Sequence, residues 1–262
     1  MATLTITFDA PSPAPVCGYV VQYRQLGEED YTTVSPNPTA SPVVIEGLLD
    51  GTTYEGTIKG DCCNGLYSTE IPFVVTGSVS IPDFDYLVAR YYWASGEGTD
   101  LDTLTGLVGT GVGTVDNNWV GWSQGYTVPG NATSPPSAVD PTQYLQSAGD
   151  NTGTGVESVL MNLMDFVAAN PAVPNPVTVN MYAFWYGSRN TGNATFELIA
   201  YKSGTMSKSG FEFVNTGGTE VFRQTFVKNV TNVIKSSSPS TSTLLGKVEY
   251  DKTTQEAVLI LQ

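Results

Sequence analysis

The side chains of this sequence with the clearest chemical potential are carboxylates and amides on two short stretches. These are Asp100-Leu101-Asp102-Thr103, downstream of Trp93, and Gly149-Asp150-Asn151-Thr152-Gly153, which leads to Glu157. Oxygen donors concentrated on flexible turns are what a hard cation requires, since calcium takes about six to eight oxygens at ~2.3–2.6 Å from carboxylates, amides and backbone carbonyls. The same residues have a plainer use, with Asp100 and Asp102 closing turn hydrogen bonds and Asp150-Asn151 forming an Asx turn. A glycosidase-type pair needs two carboxyls ~5–9.5 Å apart across a sugar cleft, and nothing else in the sequence supports one. Histidine is absent, and no nucleophile sits beside a plausible base. The expectation is a binding or structural protein, not an enzyme, with calcium as its one candidate cofactor.

The other reactive or recognisable groups are few. Cys17, Cys62 and Cys63 are too few for a disulfide framework, and without histidine a zinc site lacks ligands. Their number alone reads as free thiols in a reducing cytosol. Tyr91-Tyr92-Trp93, Phe184-Trp185-Tyr186, Trp119, Trp122 and Tyr126 either fill a β core or line a carbohydrate platform, and core packing is the commoner use of such residues. Asn131, Asn193 and Asn229 each begin an Asn-x-Thr triplet, read here as coincidence.

Composition narrows the partners. The chain has 262 residues and a net charge of −14, with 11 basic side chains spread thinly, which argues against a nucleic-acid surface. Residues 1–77 net −7, residues 78–200 net −9 and residues 201–262 net +2, so only the last segment would attract an acidic neighbour. No apolar run approaches the ~20 residues of a membrane span. The opening Met1 to Phe8 alternates like a strand and lacks the basic and cleavage features of a signal peptide, so synthesis in a cytosol is expected.

The elements that must position these groups are strands. Charged residues are only 14% of the chain, with 27 Gly and 16 Pro, the profile of short strands joined by many turns. Period-two alternation predicts strands at Thr3 to Phe8, Gly18 to Arg24, Asp30 to Val34, Val43 to Ile45, Thr53 to Gly60 and Ile71 to Val75. After a linker at 78–83 they recur at Tyr86 to Trp93, Val156 to Leu163, Val177 to Trp185, Thr195 to Lys202, Phe211 to Val214 and Glu220 to Val230. Asp165 to Asn170 is long enough for a turn or two of helix. The Pro-, Ser- and Gly-rich piece from Ser123 to Ala148 exceeds ordinary loop length, so it is either mobile or pinned. A Ser-rich spacer, 235–243, precedes a hairpin at 244–262. An isolated hairpin is marginal, so it must dock on its own sandwich or on a neighbour.

Two resemblances sharpen this all-β reading. Phe8-Asp9-Ala10-Pro11, Gly18-Tyr19-Val20-Val21-Gln22-Tyr23-Arg24 and Ile45-Glu46-Gly47-Leu48 with Gly51-Thr52-Thr53-Tyr54 resemble a fibronectin type III module over residues 1–77. Phe8 stands where that family usually has Trp, and Met1 falls at what would be the second strand, which implies an open edge beside Met1 to Phe8. The family's sheet also implies that Cys17 lies near Cys62 or Cys63, close enough to bridge if the Cα atoms come within ~7 Å. Residues 84–234 resemble the TerD-like sandwich of tellurium-resistance and stress-response proteins, through Trp93, Asp100, Asp102 and Thr103, then Gly149 to Gly153 with Glu157, then Asn215 to Glu220. That resemblance implies calcium on Asp100, Asp102, Asp150, Asn151 and Glu157, with the acidic tail of the second turn shortened to Val156-Glu157.

Pro11-Ser12-Pro13-Ala14-Pro15, Cys17-Gly18-Tyr19, Tyr23-Arg24, Tyr54 to Ile58 and Asp61-Cys62 are similar to modules in virion proteins of gut Bacteroides phages, including the crAss-like group. The resemblance implies a bacteriophage structural protein of the tail, neck, head decoration or fibre attachment, made in the host cytoplasm and working in the virion. Its partners would be copies of itself and other virion proteins, joined through the open N-terminal edge and the C-terminal hairpin. A calcium-dependent carbohydrate-binding or adhesion module and a cytosolic stress-response protein are the alternatives.

Overall fold

The computed structural model describes residues 2–6, 8, 14–49, 52–63, 66–76, 78–110, 118–187, 192–231, 233–234 and 238–261. The protein is all-β, with several antiparallel sheets and a single short α-helix among the described residues. The chain divides into two compact units, residues 1–80 with 259–262, and residues 81–258.

In the first unit, β1 (Ala2–Ile6) pairs antiparallel with β4 (Val43–Leu48), while β3 (Thr32–Thr33), β2 (Tyr19–Gln25), β5 (Thr53–Gly60) and β6 (Ile71–Thr76) form a second antiparallel sheet in that order. Strict alternation makes this a sandwich. Leu4, Ile6, Val43, Ile45 and Leu48 pack with Tyr19, Val21, Tyr54 and Ile58 in one buried cluster.

The edge expected beside Met1 to Phe8 is not open, because Thr3 of β1 is paired with Ser78 of β7 (Ser78–Ile81). β7 occupies the segment expected to be a linker. Its four residues alternate, with Val79 and Ile81 buried and Ser80 exposed. Such a run is too short to stand out between Gly77 and Pro82.

In the second unit, one sheet carries β10 (Trp119–Gly121), β9 (Leu101–Val108), β14 (Val177–Tyr186) and β20 (Thr243–Asp251) as successive neighbours, with β19 (Val233–Ile234) parallel to β14, and β21 (Glu256–Leu261) spans the division at 258/259. The other sheet has the order β11 (Thr127–Val128), β12 (Leu145–Ser147), β13 (Gly155–Met161), β8 (Tyr86–Trp93), β15 (Gly192–Lys202) and β18 (Thr219–Val230). A hairpin of β16 (Thr205–Ser209) and β17 (Glu212–Thr216) adds Met206 and Phe213 to a buried cluster with Val88 and Leu160. Helix α1 (Leu163–Ala169) is capped by Asn162, whose side chain accepts from the Asp165 amide.

Three segments that the sequence leaves open are described here. The C-terminal hairpin is not an accessory, since β20 is a central strand that pairs with β14 from Val177↔Tyr250 to Ala183↔Thr243 and buries Leu245, Val248 and Tyr250. Of the spacer, residues 235–237 lie outside the described residues, and Ser238 caps a short 3-10 turn over Pro239–Thr241. The piece from Ser123 to Ala148 is pinned by β11 and β12 and by backbone bonds such as Ser147 N–H to the Tyr126 carbonyl, 2.8 Å.

Candidate metal centre

Two layers of the second unit meet at the acidic residues. Asp102 and Thr103 lie on β9, opposite Phe184 and Ala183 of β14, and Glu157 lies on β13, opposite Tyr91 of β8. Asp102 is therefore a strand residue and not the turn residue that its Asp-x-Asp context indicates. Asp100 ends the loop from β8. That loop lies so close over Trp185 that a side chain at Gly98 would enter its ring. Trp185 is anchored in turn by its indole N–H to the Val230 carbonyl, 2.9 Å.

Asp150 comes from the loop between β12 and β13, which Asn151 shapes. Asn151 Oδ1 accepts from Gly153 N–H at 3.1 Å, and its Nδ2 donates to the Val156 carbonyl at 3.3 Å. Gly155 must be glycine here, with φ +149° and a Cβ that would sit 2.7 Å from Asn151 Nδ2.

Carboxylate oxygens of Asp100, Asp102 and Asp150 all lie within 4.8 Å of one another. Two oxygens bound to one calcium are at most ~5 Å apart, so a single ion can reach all three. The donor chemistry agrees: all three are hard oxygens, with no thiolate or imidazole to favour zinc. Of the five residues implied as ligands, Asn151 and Glu157 take other roles. The Asn151 side-chain nitrogen and oxygen each make a bond within its own loop. Glu157 Oε2 accepts from the Thr103 hydroxyl at 2.7 Å and Oε1 from the Asn151 backbone N–H at 3.0 Å. Glu157 thus ties the two acidic segments together. Tyr91 makes a similar tie between layers, its hydroxyl 2.6 Å from that of Thr105.

The electrostatics are unbalanced. Asp102 is 2% exposed and its Oδ2 has no hydrogen-bond partner, nor has the buried Oδ1 of Asp150. Burial first, then the Asp100 and Asp150 charges, push Asp102 up to about 8. Burial raises Asp150 too, and it holds Glu157 well above the usual carboxylate range against the two hydrogen bonds that lower it. The Tyr126 hydroxyl is raised by burial and then by the Asp150, Glu157 and Asp102 charges. The charged neighbours that act on Asp102 and Glu157 among the described residues are all acidic. Basic side chains of this unit are engaged elsewhere: Arg90 with Glu197 and Glu212, Arg223 with Glu197 and Glu220, Lys202 with Asp83 and Asp85, and Lys247 with Glu249. These pairs also use much of the positive charge of residues 201–262.

The aromatic stretches divide between uses. Tyr91, Trp93, Phe184 and Trp185 are buried core, whereas Trp122 and Tyr126 line a surface cavity of about 300 Å³ with Asn131 and Thr133. In the first unit Cys17 and Cys63 form a disulfide, with Cα atoms 5.3 Å apart, and Cys62 is a free, exposed thiol. Cys63 has φ +66°, and its N–H is held by Asp61 Oδ1 at 2.9 Å. That local turn accompanies the choice of Cys63 over its neighbour, a distinction that cysteine counting leaves open.

No protein-family model matches the chain, and a search of curated proteins returns no match. Among the described residues no helix is long and apolar enough to cross a membrane.

Proposed function

We propose that this chain is a calcium-binding β-sandwich protein with a structural or adhesive task in an oxidising, calcium-containing medium. The observation that carries the reading is the cluster of Asp100, Asp102 and Asp150, with two buried carboxylate oxygens lacking partners. Burying like charges without a cation costs several kcal/mol, and a divalent ion supplies what the fold leaves out. Asp100, Asp102 and Asp150 would hold it, backbone carbonyls and water completing the shell. When bound, the ion supplies charge neutralisation and a fixed link between the β8–β9 and β12–β13 loops. Glu157 and Thr103 position that link from behind.

The disulfide Cys17–Cys63 supports the setting, because such bonds persist outside reducing compartments. The resemblance of residues 1–77 to fibronectin type III-like phage modules, and of residues 84–234 to TerD-like sandwiches, makes a bacteriophage virion component the specific form of this proposal. A gene position among capsid, portal and tail genes supports that form, and a position in a stress-response operon rejects it.

The test of the calcium reading is thermal unfolding of chelator-treated protein with and without calcium, magnesium serving as control. At a calcium concentration ~100 times Kd, mass action adds ~2.7 kcal/mol, a rise of several degrees for the second unit. An unchanged melting temperature overturns the reading.

A further inference from the structure

β18 closes one side of the six-stranded sheet, and its sequence is complementary to itself. It runs twelve residues and, among the described residues, pairs only with β15. The register with β15 is regular from Phe222 to Val230, and its single irregularity falls at Val221. Read outward from Gln224, the segment Val221-Phe222-Arg223-Gln224-Thr225-Phe226-Val227 mirrors its apolar residues: Phe222 answers Phe226, and Val221 answers Val227.

Edges are commonly blunted by proline, short length or a covering element. β18 has no proline, Val227 is 63% exposed, and Phe222 and Phe226 are only half-buried. The bulge at Val221 and the charges of Arg223 and Lys228 are its blunting features.

We propose that β18 is a self-association edge, through which two copies of this chain pair antiparallel about a two-fold axis between their Gln224 residues. Phe222 of each copy then faces Phe226 of the other, on the face where Phe226 already packs against Phe196 with ring centroids 5.1 Å apart. Directly opposed side chains lie ~4.5–5.5 Å apart at Cβ, so the aromatic pairs extend an existing stack across the interface. Arg223 faces Thr225 on the other side of the sheet. The Val221 bulge lies just beyond these rungs, so Val221 meets Val227 as a side-chain contact, while Glu220 is turned to the face of Tyr201 and Arg223, its ion-pair partner, and takes no part in the pairing.

Charge selects this arrangement. A parallel in-register pairing sets Lys228 on Lys228, and shifting the antiparallel centre to Thr225 sets Phe222 against Lys228. Such an isologous contact forms a closed dimer and uses up the β18 edge of both copies. It rests on no part of the calcium reading, so either stands if the other fails.

The test uses the full chain with Cys62→Ser, which removes the exposed free thiol. Residues opposite themselves in an antiparallel pair have Cα atoms ~4.5–5.5 Å apart, within disulfide reach. Gln224→Cys is therefore expected to give a covalent dimer on oxidation, and Lys228→Cys, far from its own copy, is not. Sedimentation of the uncrosslinked protein should show a reversible dimer that Val227→Lys weakens at least about ten-fold, with an unchanged circular dichroism spectrum confirming its fold. A monomer at every concentration overturns the proposal. So does a dimer indifferent to Val227→Lys and unlinked through position 224, which points to another surface.

Discussion

Asp102 concentrates the tension of the candidate centre: a strand residue with both chain neighbours buried, facing two other carboxylates, with one oxygen unpartnered. Its replacement by Asn removes one like charge and one ligand together. Asp102→Asn is expected to leave the metal-free protein as stable as the parent, or more stable, at pH 8, and to abolish the calcium-dependent rise in melting temperature. Calorimetry with and without chelator reads both effects, and an equal loss in both conditions would show that Asp102 merely packs. Thr103 acts differently, since its hydroxyl touches Glu157 and not the three-aspartate cluster. Thr103→Val should cost ~1–3 kcal/mol, the cost of leaving a buried Glu157 oxygen without a partner, and weaken calcium without abolishing it. Denaturant titration beside calcium titration separates the two.

Among elements, the disulfide and β20 make the firmest predictions. Cys17 and Cys63 lie 46 residues apart and tie the start of β2 to the end of β5. Closing a loop of that length removes ~4 kcal/mol of unfolded-state entropy in the chain model. Reduction or Cys63→Ser should thus lower first-unit stability by ~2–4 kcal/mol, read by denaturant unfolding with and without reductant. Deleting residues 236–262 removes β20, the neighbour of β14, together with β21. The truncated chain should fail to fold its second unit, and a soluble sandwich with native circular dichroism would contradict that placement.

The legibility of elements followed their surroundings. β5 and β8 match their sequence-predicted bounds, because each alternates cleanly between turn signals. β9 was invisible because it is buried on both faces from Leu101 to Leu107, so its Thr and Asp residues break the alternation that would reveal it. The acidic residues were legible by type, but their division into an aspartate cluster and a Glu157 tie depends on β9 meeting β13. Nothing local in sequence encodes that contact.

For the whole molecule the acidic cluster sets a pH dependence whose sign is definite. Asp102 titrates near 8 when folded, against 3.8 in its unperturbed state, and Asp150 and Glu157 shift the same way. Between those values the metal-free folded protein holds protons that the unfolded chain has released, so stability falls as pH rises through about 4 to 8. On the acid side the pairs that lower Asp85 and Glu220 are lost as pH drops below the carboxylate range. Metal-free protein should be most stable in mildly acidic buffer, and calcium, by displacing the protons, should flatten the decline toward pH 8. Melting temperature across pH with and without calcium checks this.

The most direct measurement is calorimetric titration of calcium into chelator-stripped protein at pH 7 in two buffers of different ionisation heat. One ion per chain, with net proton release and no comparable magnesium binding, is the predicted result. The absence of saturable heat in both buffers, with the second unit folded, would contradict the assignment of Asp100, Asp102 and Asp150 as a calcium centre.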